Sequence, residues 1–199
     1  GARIQTAAMQ RIGLFGGSFD PVHCGHLLVA QAAMEELGLA RLFFIPAAQS
    51  PLKPPNAHAP ATERLRLLRL ALAGQSRWEI DPQEVQRGGV SFTIDTVRDY
   101  AARFAGAELF YLIGADNVSQ LPRWREAAAL AQAVEFVVVP RPGEALPETP
   151  GGFRLRRLAG FPMGVSSSQI RARVRAGLPV EGLVPAAVAE AIRNSGLYL

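Results

Sequence analysis

The sequence predicts an α/β fold, a doubly wound parallel sheet with C-terminal helices, and three observations carry that prediction. Short apolar runs alternate with stretches of helical periodicity over most of the chain, the pattern of strands joined by helical crossovers. A valine-rich run at 134–139, interrupted only by Glu135, has the hydrophobicity of a strand buried on both faces. The 199 residues, 49% hydrophobic and 19% charged, suffice for one compact domain with a substantial core.

Residues 11–15 form the first apolar run, followed by Gly16-Gly17-Ser18 and a helical stretch over 25–37, so the reading is strand, glycine turn, helix. Leu27, Ala30, Met34 and Leu37 recur at helical spacing on that stretch, and Gly38 is placed to end it. Residues 42–45 give the next strand, and a Pro-rich loop spans 46–60. Thr62 is the expected cap of a helix whose Leu65, Leu68 and Leu72 share a face, with Gly74 at its end. Residues 78–80 are a short strand candidate. Ile94, Val97, Ala101 and Phe104 mark one side of a further helix, and 109–113 resume the strand pattern. Beyond 134–139, residues 140–152 have the composition of a flexible loop, and two helices, 167–176 and 185–195, close the chain; Pro185 suits a first helical turn. In such a sheet ligands bind beyond the carboxyl ends of the strands, which places the chemistry after Phe15, Ile45 and Ile113.

Composition narrows the function. No apolar run approaches the length that spans a bilayer. Cys24 is the only cysteine, so an intramolecular disulfide or four-cysteine zinc site is impossible and a cytoplasmic location fits best. Net charge is +4, but the arginines are scattered instead of forming the basic stripe of a nucleic-acid binder; an anionic small molecule is the better expectation. Residues 1–10 read as a leader or tag remnant ahead of a single domain at 11–199, since the first methionine is Met9 and residues 1–8 lack an apolar signal core. Monomer and homo-oligomer both remain open.

Two motifs carry the chemistry. In Gly16-Gly17-Ser18-Phe19-Asp20-Pro21-Val22-His23-Cys24-Gly25-His26, glycines precede a helix start that holds two of the three histidines. Glycine backbone admits a phosphate closely, and a helix N-terminus supplies unpaired N–H donors with partial positive charge. His23 and His26, three residues apart, can face one point and donate to phosphoryl oxygens as charge builds. An ordinary strand-to-helix turn is the alternative for the glycines alone. His23, Cys24 and His26 also offer metal-ligand types, but without a second ligand cluster. In Ser166-Ser167-Ser168-Gln169-Ile170-Arg171 a serine can cap the next helix, with Arg171 one turn on: a second anion site, or a plain capped helix with a solvated arginine. The dinucleotide fingerprint and the P-loop are both absent, so neither an ordinary dehydrogenase nor a P-loop kinase is supported.

Together the two motifs resemble the HxGH and ISSTxxR signatures of the nucleotidyltransferase superfamily. The segments Ser91-Phe92-Thr93-Ile94-Asp95-Thr96, Phe110 to Asp116, Leu121-Pro122-Arg123-Trp124 and Gly196-Leu197-Tyr198 are similar to bacterial nicotinate-nucleotide adenylyltransferases. That resemblance runs from Arg11 to Leu199 and implies a Rossmann-like sheet, ATP and nicotinate mononucleotide as substrates, and magnesium brought with ATP. It implies further that Gly16, Gly17, Ser18 and Phe19 line the ATP and acceptor-phosphate site, while His23 and His26 contact the phosphates in transfer. Gly114 and Asp116 would hold the adenosine ribose, and Ser167, Ser168, Arg171 and Lys53 the triphosphate. Trp124 would stack on the pyridine ring, with Thr93 and the backbone near Arg125 at its carboxylate. From the residues alone, Trp124 also reads as a partly buried hydrophobe, Lys53 as a solvated cation and Asp116 as a helix cap. Leu52 stands where the family often has His, and Cys24 fills the variable position of HxGH. The rivals are a phosphopantetheine-type adenylyltransferase, against which His23 and Trp124 speak, and a nucleotide-binding regulatory module without turnover.

Overall fold

The computed structural model describes residues 9–48, 58–139, 141, 143–161 and 164–199. Six strands, β1 (Arg11–Gly17), β2 (Arg41–Pro46), β3 (Trp78–Ile80), β4 (Glu108–Gly114), β5 (Glu135–Val139) and β6 (Leu155–Arg157), form one all-parallel sheet in the order β3-β2-β1-β4-β5-β6. The direction of winding reverses between β1 and β4, and the crevice beyond their carboxyl ends is where such sheets bind ligands.

Strand alternation divides the apolar residues between two cores. Phe15, Phe44, Phe110, Leu112 and Val137 face helices α1 (Cys24–Leu37), α2 (Ala61–Leu72) and, near the end of the chain, α7 (Ala186–Ser195). Ile12, Leu14, Phe43, Ile45, Tyr111, Ile113, Phe136 and Val138 face α4 (Thr93–Arg103) and α5 (Ala127–Ala133) on the other side. Each fully buried side chain of this size contributes about 1.5–3 kcal/mol, and parallel strands need such cover on both faces. Among the described residues no helix is long and apolar enough to cross a membrane.

Several local expectations change. The first strand runs on through Gly16 and Gly17, which pair with Ile45 and Pro46, so the turn begins only at Ser18. Thr62 does not cap α2: Pro60 stands at the N-cap with no side-chain hydrogen bond, because the chain enters the helix two residues earlier. On α4, Tyr100 joins Ile94 and Val97 in the core while Ala101 is exposed. Four elements were not expected: α3 (Gln83–Arg87), a 3₁₀ helix (Ala115–Arg123) containing Pro122, α5, and β6, which lies just beyond the loop read at 140–152. The last helix before α7, α6 (Ser167–Arg175), matches its expected span to within a residue.

Candidate functional site

A cavity of about 920 Å³ opens beyond the ends of β1 and β4 and is bounded by the starts of α1 and α6. Its lining brings together Gly16, Gly17, His23, His26, Gly114, Trp124, Ser167 and Ser168 from segments far apart in sequence. Lys53 lies outside the described residues, as does Leu52.

Both helix starts are built the same way. His23 is the N-cap of α1, and the two histidines close a reciprocal box: His26 N donates to His23 Nδ1 at 3.4 Å and His23 N donates to His26 Nδ1 at 3.1 Å. Since each Nδ1 accepts, each neutral imidazole carries its proton on Nε2 and keeps that N–H as a donor. The rings stack 3.8 Å apart. Burial lowers the pKa of His23 to about 4 and holds His26 well below the usual histidine value, with His23 adding to the effect. Both are therefore neutral at neutral pH and act as hydrogen-bond donors, not as cations. The ring of His23 needs Gly25, where an added Cβ would stand 2.8 Å from Cε1. Burial raises the Cys24 thiol, which disfavours the thiolate that a metal ligand or nucleophile requires.

At α6, Ser166 caps with Gln169: Gln169 N donates to Ser166 Oγ at 3.2 Å and Ser166 N donates to Gln169 Oε1 at 3.1 Å. The first turn of a helix leaves N–H groups without intrahelical partners. In α1 Cys24 N goes to Leu183 O and His26 N to His23; in α6 Gln169 N goes to Ser166. Among the described residues the N–H groups of Gly25, Ser167 and Ser168 remain, and all three residues line the cavity, so two helix N-termini offer donors to one anionic ligand. Ser167 Oγ also donates to Pro21 O at 2.9 Å, tying the second motif to the first.

The other expected residues, Trp124 excepted, sit around this centre without lining it. Phe19 is buried, 2% exposed, and its ring lies 4.9 Å from that of His26 and 5.3 Å from that of Phe15; it backs the histidine instead of facing a ligand. Ser18 is half-buried, and its carbonyl accepts from Arg64. Arg171 donates to Asp20 O at 2.6 Å and to Ser168 Oγ at 3.2 Å. Asp116 is exposed at the start of the 3₁₀ helix and pairs with Arg141 at 3.2 Å. Thr93 stands beside the Tyr111 phenol, which burial keeps protonated, and Arg125 lies over the Phe92 ring at 4.1 Å. Trp124 is half-buried, edge-on to Phe136 at 6.0 Å, with part of its surface open to the cavity.

The lining also includes residues with no sequence signal of their own. Tyr111 stands over Gly16, where a Cβ would collide with its hydroxyl; this close approach explains a glycine inside a strand. Asn117 follows Gly114 and Asp116 on the 3₁₀ helix, and its place beside that motif is the one hint available. Arg141 and Glu144 come from the stretch read as a flexible loop. Beneath the site, Arg64 is 1% exposed and donates to the carbonyls of Ser18, Ala47, Ala48 and Ala59, joining the ends of β1 and β2 to the start of α2. Its distance in sequence from the motifs concealed it.

Residues 14–173 match the cytidylyltransferase-like family. A probable nicotinate-nucleotide adenylyltransferase of Opitutus terrae is 41% identical over 191 residues, covering 94% of this chain and 97% of the relative. One of the same name from Gemmatimonas aurantiaca is 45% identical, covering 94% and 92%. In fold, the chain is similar to Plasmodium falciparum nicotinic acid mononucleotide adenylyltransferase complexed with NaAD, with a TM-score of 0.75 at 15% identity, covering 95% of this chain and 97% of the other. With this sheet and both motifs in place at its switch point, the chain belongs to the cytidylyltransferase-like family and, within it, to the nicotinate-nucleotide adenylyltransferases.

Proposed function

We propose that the chain transfers the adenylyl group of ATP to nicotinate mononucleotide, releasing pyrophosphate and forming nicotinate adenine dinucleotide. The observation that carries this reading is the convergence of two helix N-termini and two neutral, Nε2-protonated histidines on one cavity that also exposes Trp124. A phosphate oxygen of the acceptor forms the new bond to the α-phosphorus, the bond to the bridging oxygen of the β-phosphate breaks, and pyrophosphate leaves with the electron pair. The attacking phosphate is already ionised, so no general base is required; orientation and stabilisation of the developing charge supply the rate.

We assign His23 and His26 to the phosphates in transfer, Gly16 and Gly17 to close backbone approach, and Ser167, Ser168 and Arg171 to the outer phosphates. Gly114 and Asp116 are assigned to the ribose of ATP, and Trp124 to the pyridine ring, with Thr93 and Arg125 at its carboxylate. Among the described residues no group of three or more His, Cys, Asp and Glu gathers to hold a metal ion. We therefore treat magnesium as part of the substrate, carried in on the phosphates of ATP. The lone Cys24 supports a cytoplasmic setting for this chemistry.

Pyrophosphate release tests the reading with ATP, magnesium and each of nicotinate mononucleotide, nicotinamide mononucleotide and phosphopantetheine. Release should depend on the nicotinate nucleotide and fall about 10²–10³-fold in His26→Ala, the typical effect of losing one transition-state donor. Release that prefers phosphopantetheine, or an undiminished His26→Ala rate, would sink it.

A further inference from the structure

Asp20 is almost fully buried, 1% exposed, in the turn between β1 and α1, and it takes no part in the cavity lining. Three segments nevertheless converge on it. Tyr198, near the end of the chain, donates its hydroxyl to Oδ1 at 2.8 Å; burial raises that phenol, so it stays protonated and donates. His58 Nδ1 lies 3.3 Å from Oδ2, and Ala59 N donates to Oδ1 at 3.3 Å. Arg171 donates to the Asp20 carbonyl at 2.6 Å, with the same nitrogen 3.9 Å from the carboxylate. The other guanidinium end of Arg171 reaches Ser168 Oγ, which borders the cavity.

We propose that Asp20 is a positioning residue of the nucleotide site, which, itself clamped by Tyr198, holds the Arg171 guanidinium in its phosphate-binding orientation before any nucleotide arrives. The proposal rests on the assignment of ATP to this cavity. An arginine on a helix surface has many rotamers, and ordering one at the moment of binding weakens affinity. Here the contact with a carbonyl and a carboxylate that are themselves fixed orders it beforehand. The same contacts join the first motif to the second, because Arg171 and Ser167 grip the adjacent carbonyls of Asp20 and Pro21.

Calorimetric titration of the full chain with ATP and magnesium, without acceptor, tests this in wild type, Asp20→Asn, Arg171→Ala and the double variant, each checked for folding by thermal melting. Asn keeps an acceptor for Tyr198, removes the charge, and turns the oxygen facing His58 into an amide NH₂. Asp20→Asn should raise the Kd for ATP about three- to tenfold, the scale of one arginine left to be ordered on binding. In the Arg171→Ala background the same change should alter Kd less than about twofold, because the residue through which it acts is gone. Tyr198→Phe should raise the Kd about twofold by loosening the clamp, and it supplies the same cycle if Asp20→Asn does not fold. In turnover the KM for ATP should rise and that for the acceptor should not. Equal effects in both backgrounds, no effect in either, or tighter binding in Asp20→Asn would overturn the proposal. A wild type that binds ATP but transfers no adenylyl group would overturn the proposed function instead, and the binding cycle would still decide the role of Asp20.

Discussion

The two helices that point at the cavity start with the same device made of different parts. α6 closes its capping box with Ser166 and Gln169, both exposed and neither titrating near neutrality. α1 closes its box with two stacked, desolvated histidines. At α6 the cap is separate from most of the ligand-facing groups, so stability and binding rest on different atoms. At α1 the capping side chains are themselves the proposed phosphate donors, and the bonds that stabilise the helix also fix which imidazole nitrogen keeps its proton. Such a site is pre-organised without additional residues, and it makes the fold sensitive to whatever disturbs the chemistry.

Acid separates the two helix starts most strongly. An unfolded His23 titrates near 6.5, whereas the folded one does so at about 4 because burial disfavours the charged form. Below pH 6.5 the unfolded chain takes up a proton that the folded chain refuses. The stability held by the neutral ring is therefore complete above pH 6.5 and drains away as pH falls to about 4. His26 is shifted in the same direction and adds to the loss. Urea unfolding at pH 7 and pH 4.5 should show a loss of about 2–3 kcal/mol assignable to His23. His23→Asn retains a good N-cap and lacks the titrating ring, so it should lose less over that interval. Parallel losses in the two proteins would remove the α1 box from the account of acid sensitivity.

The second difference is steric. Position 25, the second residue of α1, must be glycine because a Cβ would stand 2.8 Å from the ring of His23, while the matching position of α6 carries a side chain, Ser168. Gly25→Ala should displace the imidazole and cost about 1–3 kcal/mol through overpacking, partly offset by about 1 kcal/mol of better helix propensity. Adenylyl transfer should fall further than the melting temperature suggests, since the displaced ring is one of the two proposed phosphate donors. A Gly25→Ala protein with wild-type stability and rate would show that the histidine stack is not held as described.

Legibility in the sequence follows the same division between local and distant causes. β1, β2, β4 and β5, the cap at Gly38 and a serine cap ahead of α6 could be read because each depends on a few neighbouring residues. The paired histidines stood out because they lie three residues apart at a helix start beside a glycine turn. β6 carries two arginines in three residues, and its strand character comes only from pairing with β5. The 3₁₀ helix contains Pro122, which argues locally against any helix. Tyr100 displaced Ala101 from the core because its hydroxyl finds Asp81, a partner 19 residues away. The Asp20 cluster joins residues up to 178 positions apart, and no periodicity signals such a meeting. Phe19 sits inside a phosphate motif but packs behind it, since a motif specifies neighbours in sequence and not the direction of each side chain.

The smallest effect expected is at the other helix start. Gln169 is exposed, lies outside the cavity lining, and contributes one half of the α6 box by accepting from Ser166 N. Gln169→Ala removes that bond and leaves Ser166 Oγ still accepting from the backbone N–H at position 169. The loss should be about 0.5–1 kcal/mol in urea unfolding, equal at pH 7 and pH 4.5 because no titrating group is involved. The KM for ATP should stay within about twofold of wild type, since Ser167, Ser168 and Arg171 keep their bonds to Pro21 and Asp20. A larger rise in KM would mean that the box at α6 aims the serines as the box at α1 aims the histidines. The two helix starts would then share one design, with capping and binding inseparable at both.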